Sequence, residues 1–162
     1  MQLILIGYRG VGKSAIGAIL ARKLKTNLID TDNEVEKASK MKIHEIISNE
    51  GWPAFRKREL QELKKSFRKQ AVIAVGGGAL TENKVKVPKS AVVVLLTAPI
   101  STIKKRIKGS SRPSLSGKGT IKEITEVMNK RMPKYLKLAD LVVDTAGKKQ
   151  VAIANEILRV IK

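Results

Sequence analysis

The stretch "GYRGVGKS", Gly7 to Ser14, has the spacing glycine, four residues, glycine, lysine, serine. It lies between an apolar run, "LILI" at 3–6, and a helical pattern, "KSAIGAILARKL" at 13–24. Glycines after a strand let the backbone come close to a ligand, and successive N–H groups at a helix start present partial positive charge to phosphate oxygens. The backbone of Gly10, Val11, Gly12, Lys13, Ser14 and Ala15 is therefore expected to cradle a nucleoside triphosphate. Lys13 would reach its β and γ phosphates, and the Ser14 hydroxyl would ligate Mg²⁺. Spacing alone assigns no role to Arg9, inside the loop.

Two carboxylates follow in "LIDTDNEV", Asp30 and Asp32, at the end of a second apolar run, where ligands collect in α/β proteins. Side by side near a phosphate site they repel unless a cation or proton donor lies between them. One would orient the Mg²⁺ shell and the other would orient, or take a proton from, an acceptor hydroxyl. The competing reading is that one of them caps a helix starting near Asn33. Further along, "AVGGGAL" at 74–80 sets Gly76, Gly77 and Gly78 in a row. One glycine would serve an ordinary turn, so three without Cβ atoms suggest close approach of a ligand to backbone N–H groups. Arg56 and Glu59 sit three apart on a helical pattern, a spacing that by itself means only a surface ion pair.

Elements that could position these groups are readable from periodicity. Short Ile, Leu and Val runs at 3–6, 27–30, 71–75, 91–96 and 141–144 read as buried parallel strands. Helical patterns at 13–24, 52–69, 99–108, 120–138 and 148–161 alternate with them. Strand and helix in alternation imply a three-layer α/β domain, a parallel sheet with helices on both faces. At 162 residues the chain is expected to be one domain, 1–162, with a polar Gly, Ser and Pro stretch at about 108–120 serving as a lid.

Composition narrows the partners. The chain has 33 Lys and Arg against 14 Asp and Glu, a net +19 that favours anions of any kind. The lysines are dispersed and only 3% of residues are aromatic, so no nucleic-acid partner is expected. With no cysteine a reducing compartment suits the chain, and the apolar run at the amino terminus is too short for a membrane span. A cytoplasmic monomer follows as the expectation. His44, the only histidine, reads as structural, and Trp52 as packing at a helix start.

Taken together, "GYRGVGKS", "DTD", Gly51 with "FRKRE" at 55–59, "GGG", "RPSL" at 112–115, "KRMPKY" at 130–135 and "ADLVVDT" at 139–145 resemble shikimate kinase, a small P-loop kinase, over nearly the whole chain. The resemblance implies the strand order 2-3-1-4-5 and phosphorylation of shikimate at its 3-hydroxyl by ATP with Mg²⁺, in chorismate and aromatic amino acid synthesis. It further implies that Arg56, supported by Glu59, and Arg131 bind the shikimate carboxylate, which suits arginine's planar fork. By the same resemblance Asp32 contacts ring hydroxyls as candidate base, Asp30 lies near Mg²⁺, and Gly76, Gly77 and Gly78 lie against the substrate and the transferred phosphate. Arg112 covers the phosphates, and Arg106 stacks on adenine near "TAGKK" at 145–149. The residues leave two rivals open: another small-molecule P-loop kinase, for gluconate or a nucleoside monophosphate, and a basic nucleotide-binding module on nucleic acid.

Overall fold

The computed structural model describes residues 1–108 and 120–161. Five strands, β1 Gln2–Ile6, β2 Leu28–Asp30, β3 Val72–Ala74, β4 Ala91–Thr97 and β5 Leu141–Asp144, form one sheet in the order β2-β3-β1-β4-β5. Every neighbouring pair is parallel, with Leu3 opposite Val72 on one side and Val92 on the other. All five residues of β1 are buried, which is why it reads as a continuous apolar run rather than an alternation.

Alternate residues of the strands enter two different cores. Leu3, Leu5, Val72, Val94 and Leu96 face α1 (Lys13–Lys23), α6 (Ile100–Ile107) and α8 (Gln150–Ile161), through Ile16, Leu20, Ile103, Ile153 and Ile157. Ile4, Ile6, Ile73, Val93 and Leu95 face the other way, onto Leu63 of α4 (Trp52–Ser66), Leu80 of α5 (Ala79–Glu82) and Tyr135 of α7 (Thr120–Leu138). The expected three layers are thus present. A third, small cluster of Val35, Ile46 and Phe55 joins α2 (Thr31–Ser39), α3 (Ile43–Glu50) and α4 to one another.

Periodicity placed neither α2 nor α3 as elements of their own. In α2 only Thr31 and Val35 are buried, so its apolar signal is too thin to show a helical period. Helix α5 is four residues long and carries no period at all. The pattern at 120–138 does hold as one helix, running through Pro133. The lid expected at about 108–120, with Arg112, falls on residues 109–119, which lie outside the described residues.

Candidate active site

Strands β1, β2 and β3 are neighbours in the sheet, so the segments that leave their carboxyl ends meet at one edge. After β1 the chain turns into α1 through Gly12, whose φ of 96° is a left-handed value that a side chain would strain. No side chain caps α1, and no acidic residue stands in its first turn. The amino-terminal N–H groups of α1 thereby keep their positive potential for a ligand.

Gly10, Gly12, Lys13, Ser14 and Ala15 line a cavity over this helix end. Val11 belongs to the same loop but is buried in the core, so it can serve a ligand only through its backbone. The Lys13 ammonium lies across the loop, donating to the carbonyls of Gly7 at 2.8 Å and Tyr8 at 3.0 Å. Opposite it, the Ser14 hydroxyl donates to Asp30 Oδ2. The other oxygen of Asp30 accepts from the N–H groups of Asp32 and Asn33 at 3.1 and 3.3 Å, capping α2. The capping reading of the acidic pair holds at Asp30, which is also the partner of the P-loop serine.

Arg106, from α6, donates to the Gly10 carbonyl at 3.2 Å and to the hydroxyl and carbonyl of Thr145 at 3.0 and 3.2 Å. It ties the phosphate loop to the "TAGKK" segment after β5, and it lines the same cavity.

Asp32 and Arg9 border this cavity and also a second one, of about 190 Å³. The second cavity is walled by α2, α3 and α4, the triglycine turn and α7. Arg56 and Arg131 both enter it. Arg56 donates to Glu59 at 2.6 Å, and its guanidinium lies 5.2 Å from the ring centres of both Trp52 and Phe55, which themselves pack edge to face. Glu59 is 1% exposed, and burial raises its pKa above the ordinary value although Arg56 opposes the shift. Arg131, 5% exposed, donates through Nε to Glu82 of α5 at 3.4 Å. Burial would push the Glu82 carboxyl up, but Arg131 and Lys130 outweigh it and hold the group below its ordinary value.

The triglycine turn is where these side chains crowd the backbone. A Cβ on Gly78 would stand 2.6 Å from both terminal nitrogens of Arg56 and 2.8 Å from one of Arg131, so two cations converge on a single point above the chain. A Cβ on Gly76 would meet Asp32 Oδ1 at 2.5 Å. The sequence reading had the turn donate its N–H groups to a ligand. The N–H of Gly76 is instead taken, donating to Thr31 Oγ1 at 2.9 Å. Gly76 faces the cavity over the start of α1, whereas Gly77 and Gly78 face the second one. The Gly77 carbonyl accepts from the hydroxyl of Tyr135, whose pKa burial pushes up to about 12, so it remains a donor at any physiological pH.

Four side chains had no functional signal in the sequence. Arg9 lies at the wall shared by both cavities, 6.0 Å from the Tyr8 ring centre and 3.8 Å from buried Glu123 of α7. His44, read as structural, is exposed and lines the second cavity, as does Trp52. Glu82 reaches the site only through Arg131, and no spacing rule could have paired residues that far apart in the chain. Within the cavity-lining sets, every predicted ligand group but Val11 among the described residues is present.

A five-stranded parallel sheet with a P-loop after its central strand, a carboxylate at the wall between two cavities, and a paired-arginine pocket beyond it defines a small-molecule phosphotransferase of the P-loop class. The family model for shikimate kinase matches residues 9–162. Shikimate kinase from Syntrophus aciditrophicus is 40% identical over 174 residues, covering 98% of this chain and 89% of the relative. Shikimate kinase 2 of Escherichia coli K12 is 35% identical over 159 residues, 94% of this chain and 91% of the relative. The solved structure of the Acinetobacter baumannii shikimate kinase in complex with shikimate superposes with a TM-score of 0.91 at 28% identity, over 99% of this chain and 92% of the other. The chain belongs to the shikimate kinase family. No helix among the described residues is long and apolar enough to cross a membrane.

Proposed function

We infer that the protein transfers the γ-phosphate of ATP to the 3-hydroxyl of shikimate, giving shikimate 3-phosphate and ADP for chorismate and aromatic amino acid synthesis. The observation that carries the acceptor assignment is the meeting of Arg56 and Arg131 over Gly78. Two guanidinium groups held that close repel one another, and a planar carboxylate between them relieves the repulsion while accepting from both forks.

The roles follow from position. The N–H groups of Gly10 to Ala15 hold the triphosphate, and Lys13 exchanges its loop carbonyls for the phosphates when they arrive. Asp32, at the wall shared by both cavities, orients the acceptor hydroxyl or takes its proton, with Gly77 and Gly78 leaving room for the ring. Arg106 is assigned to stack on the base, and Arg112 to the charge of the transferred group. For Mg²⁺ the donor set is suitable, since Ser14 and Asp30 are oxygen ligands already in contact. When bound there, the ion would supply positive charge against the phosphates of the nucleotide. One chain supplies both cavities, so the reading requires no second copy, and a monomer suffices.

The test is ADP release from ATP and Mg²⁺ with shikimate, gluconate and AMP offered separately at matched concentration. Stimulation by shikimate alone is expected. Stimulation only by one of the others would keep the P-loop assignment and remove the acceptor.

A further inference from the structure

The convergence of Arg56 and Arg131 raises a mechanical question, because nothing in a flexible arginine side chain makes it stay beside another cation. Each is held from behind by a carboxylate. For Arg131 that carboxylate is Glu82, the last residue of the short helix α5; for Arg56 it is Glu59, which is held in turn by Asn83, the residue after Glu82. Glu82 takes the Nε edge of Arg131 at 3.4 Å, which leaves the terminal nitrogens of that guanidinium facing Gly77 and Gly78. Asn83 donates through Nδ2 to Glu59 Oε2 at 2.9 Å and to the carbonyl of Ala79 at 3.1 Å, so both amide hydrogens are committed. The same Glu59 oxygen accepts from Arg56 at 2.6 Å.

Helix α5 is in turn continuous with the triglycine turn. The Gly78 carbonyl accepts from the N–H groups of Thr81 and Glu82 at 3.2 and 2.8 Å. Helix α7 is docked on the same piece, with Lys134 donating to the Thr81 carbonyl at 2.7 Å and Tyr135 to the Gly77 carbonyl. We propose that Glu82 and Asn83 are positioning residues of the acceptor site: Glu82 aims Arg131 directly, Asn83 aims Arg56 through Glu59, and both act on the acceptor's carboxylate. The inference rests on the shikimate reading above. It makes the turn and the clamp one rigid unit, in which the spacing between the two guanidinium groups is set by two adjacent residues. The low pKa of Glu82 keeps it anionic, and the amide of Asn83 helps Glu59 remain an acceptor despite its burial.

The experiment compares shikimate with its methyl ester, which has the ring hydroxyls but no carboxylate charge, in the intact chain and in Glu82→Ala, Glu82→Gln and Asn83→Leu. For Glu82→Ala and Asn83→Leu the KM for shikimate should rise about tenfold, the loss of roughly one charge-assisted hydrogen bond's worth of alignment. The KM for ATP should stay put, and kcat should change less than about twofold, because neither residue touches the nucleotide or the reacting oxygen. Preference for shikimate over the ester should shrink by the same factor, with Glu82→Gln falling between Glu82→Ala and the intact chain. Equal losses on both acceptors, a fall in kcat alone, or unchanged kinetics would overturn the positioning role. Glu82, with 28% of its side chain exposed, is the variant least coupled to folding, so it carries the test if Asn83→Leu melts early. No turnover of shikimate by the intact chain would overturn the functional reading itself, and this inference with it.

Discussion

Where the cavity proposed for the nucleotide is built around a backbone loop, the cavity proposed for the acceptor, on the other side of Asp32, is made of side chains. The first draws on residues 10–15, contiguous in sequence, and on an uncapped helix end. The second gathers Asp32, Arg56, Glu59 and Arg131 from three helices and sets them around a turn with no side chains of its own. A backbone site needs glycines and a fixed spacing, and both are written locally. A side-chain site needs each group to be aimed, and the aiming residues lie wherever the fold brings them.

That contrast can be broken most severely at the wall between the cavities. Asp32→Asn keeps the shape and removes the charge, and turnover is expected to fall about a thousandfold while ATP and shikimate still bind. Single-turnover kinetics with equilibrium binding of each ligand would check it, and near-normal turnover would remove Asp32 from the chemistry. Arg131→Ala comes next. It should raise the KM for shikimate about a hundredfold by removing one fork of the clamp, with the KM for ATP unchanged. If both constants moved together, the two cavities would not be separable in the way described.

A subtler change sharpens the comparison without touching any charged group. Gly78 has a φ of −94°, so Gly78→Ala costs no backbone strain, and its entire effect comes from a methyl group where the Arg56 nitrogens now lie. About a tenfold rise in the KM for shikimate is expected, measured beside an unchanged melting temperature. The smallest effect is in pH. Glu59 faces Arg56, Asp32 and the amide of Asn83, and its raised pKa means that its carboxylate is protonated at a higher pH than an ordinary glutamate. The acid limb of kcat/KM for shikimate should therefore begin at a higher pH than an ordinary glutamate would set, and in Glu59→Gln that limb should recede to lower pH. For stability the sign is opposite. A folded pKa above the unfolded one gives a contribution that is present in acid and lost as the pH rises through the folded value.

Legibility followed the same division. The P-loop, Asp30 and Asp32 could be found from spacing because each sits directly after a strand, and the five strands stood out because parallel strands are apolar on both faces. Arg56 and Glu59 gave only an ordinary helical pair until the resemblance assigned them an acceptor. Arg131 needed the resemblance entirely, since nothing local distinguishes it among the many cations of a chain carrying 33 Lys and Arg. Glu82, Asn83 and the shared-wall position of Arg9 were not legible at all. Their partners are distant in sequence, and polar residues after a turn have no period to betray them. The triglycine run reads in the sequence as a place where a ligand approaches the backbone, and in the structure the groups that crowd it are the protein's own arginines and Asp32.

The small core of Val35, Ile46 and Phe55 ties α2, α3 and the start of α4 to one another, while Leu63 farther along α4 packs in the core against the sheet. This excursion leaves from β2 and returns to β3, two strands that lie side by side. In the terms of gene history it is a cassette with two anchors, Leu63 in the core under the sheet and Thr31, which accepts from the Gly76 N–H. Outside it, the cavity proposed for the acceptor is lined or aimed by Arg9, the triglycine turn, α5 with Asn83, and Arg131. A change of acceptor by descent would then leave its mark as paired replacements, one inside residues 31–66 and one at those few outside positions, against a Gly10–Ala15 segment that stays as it was.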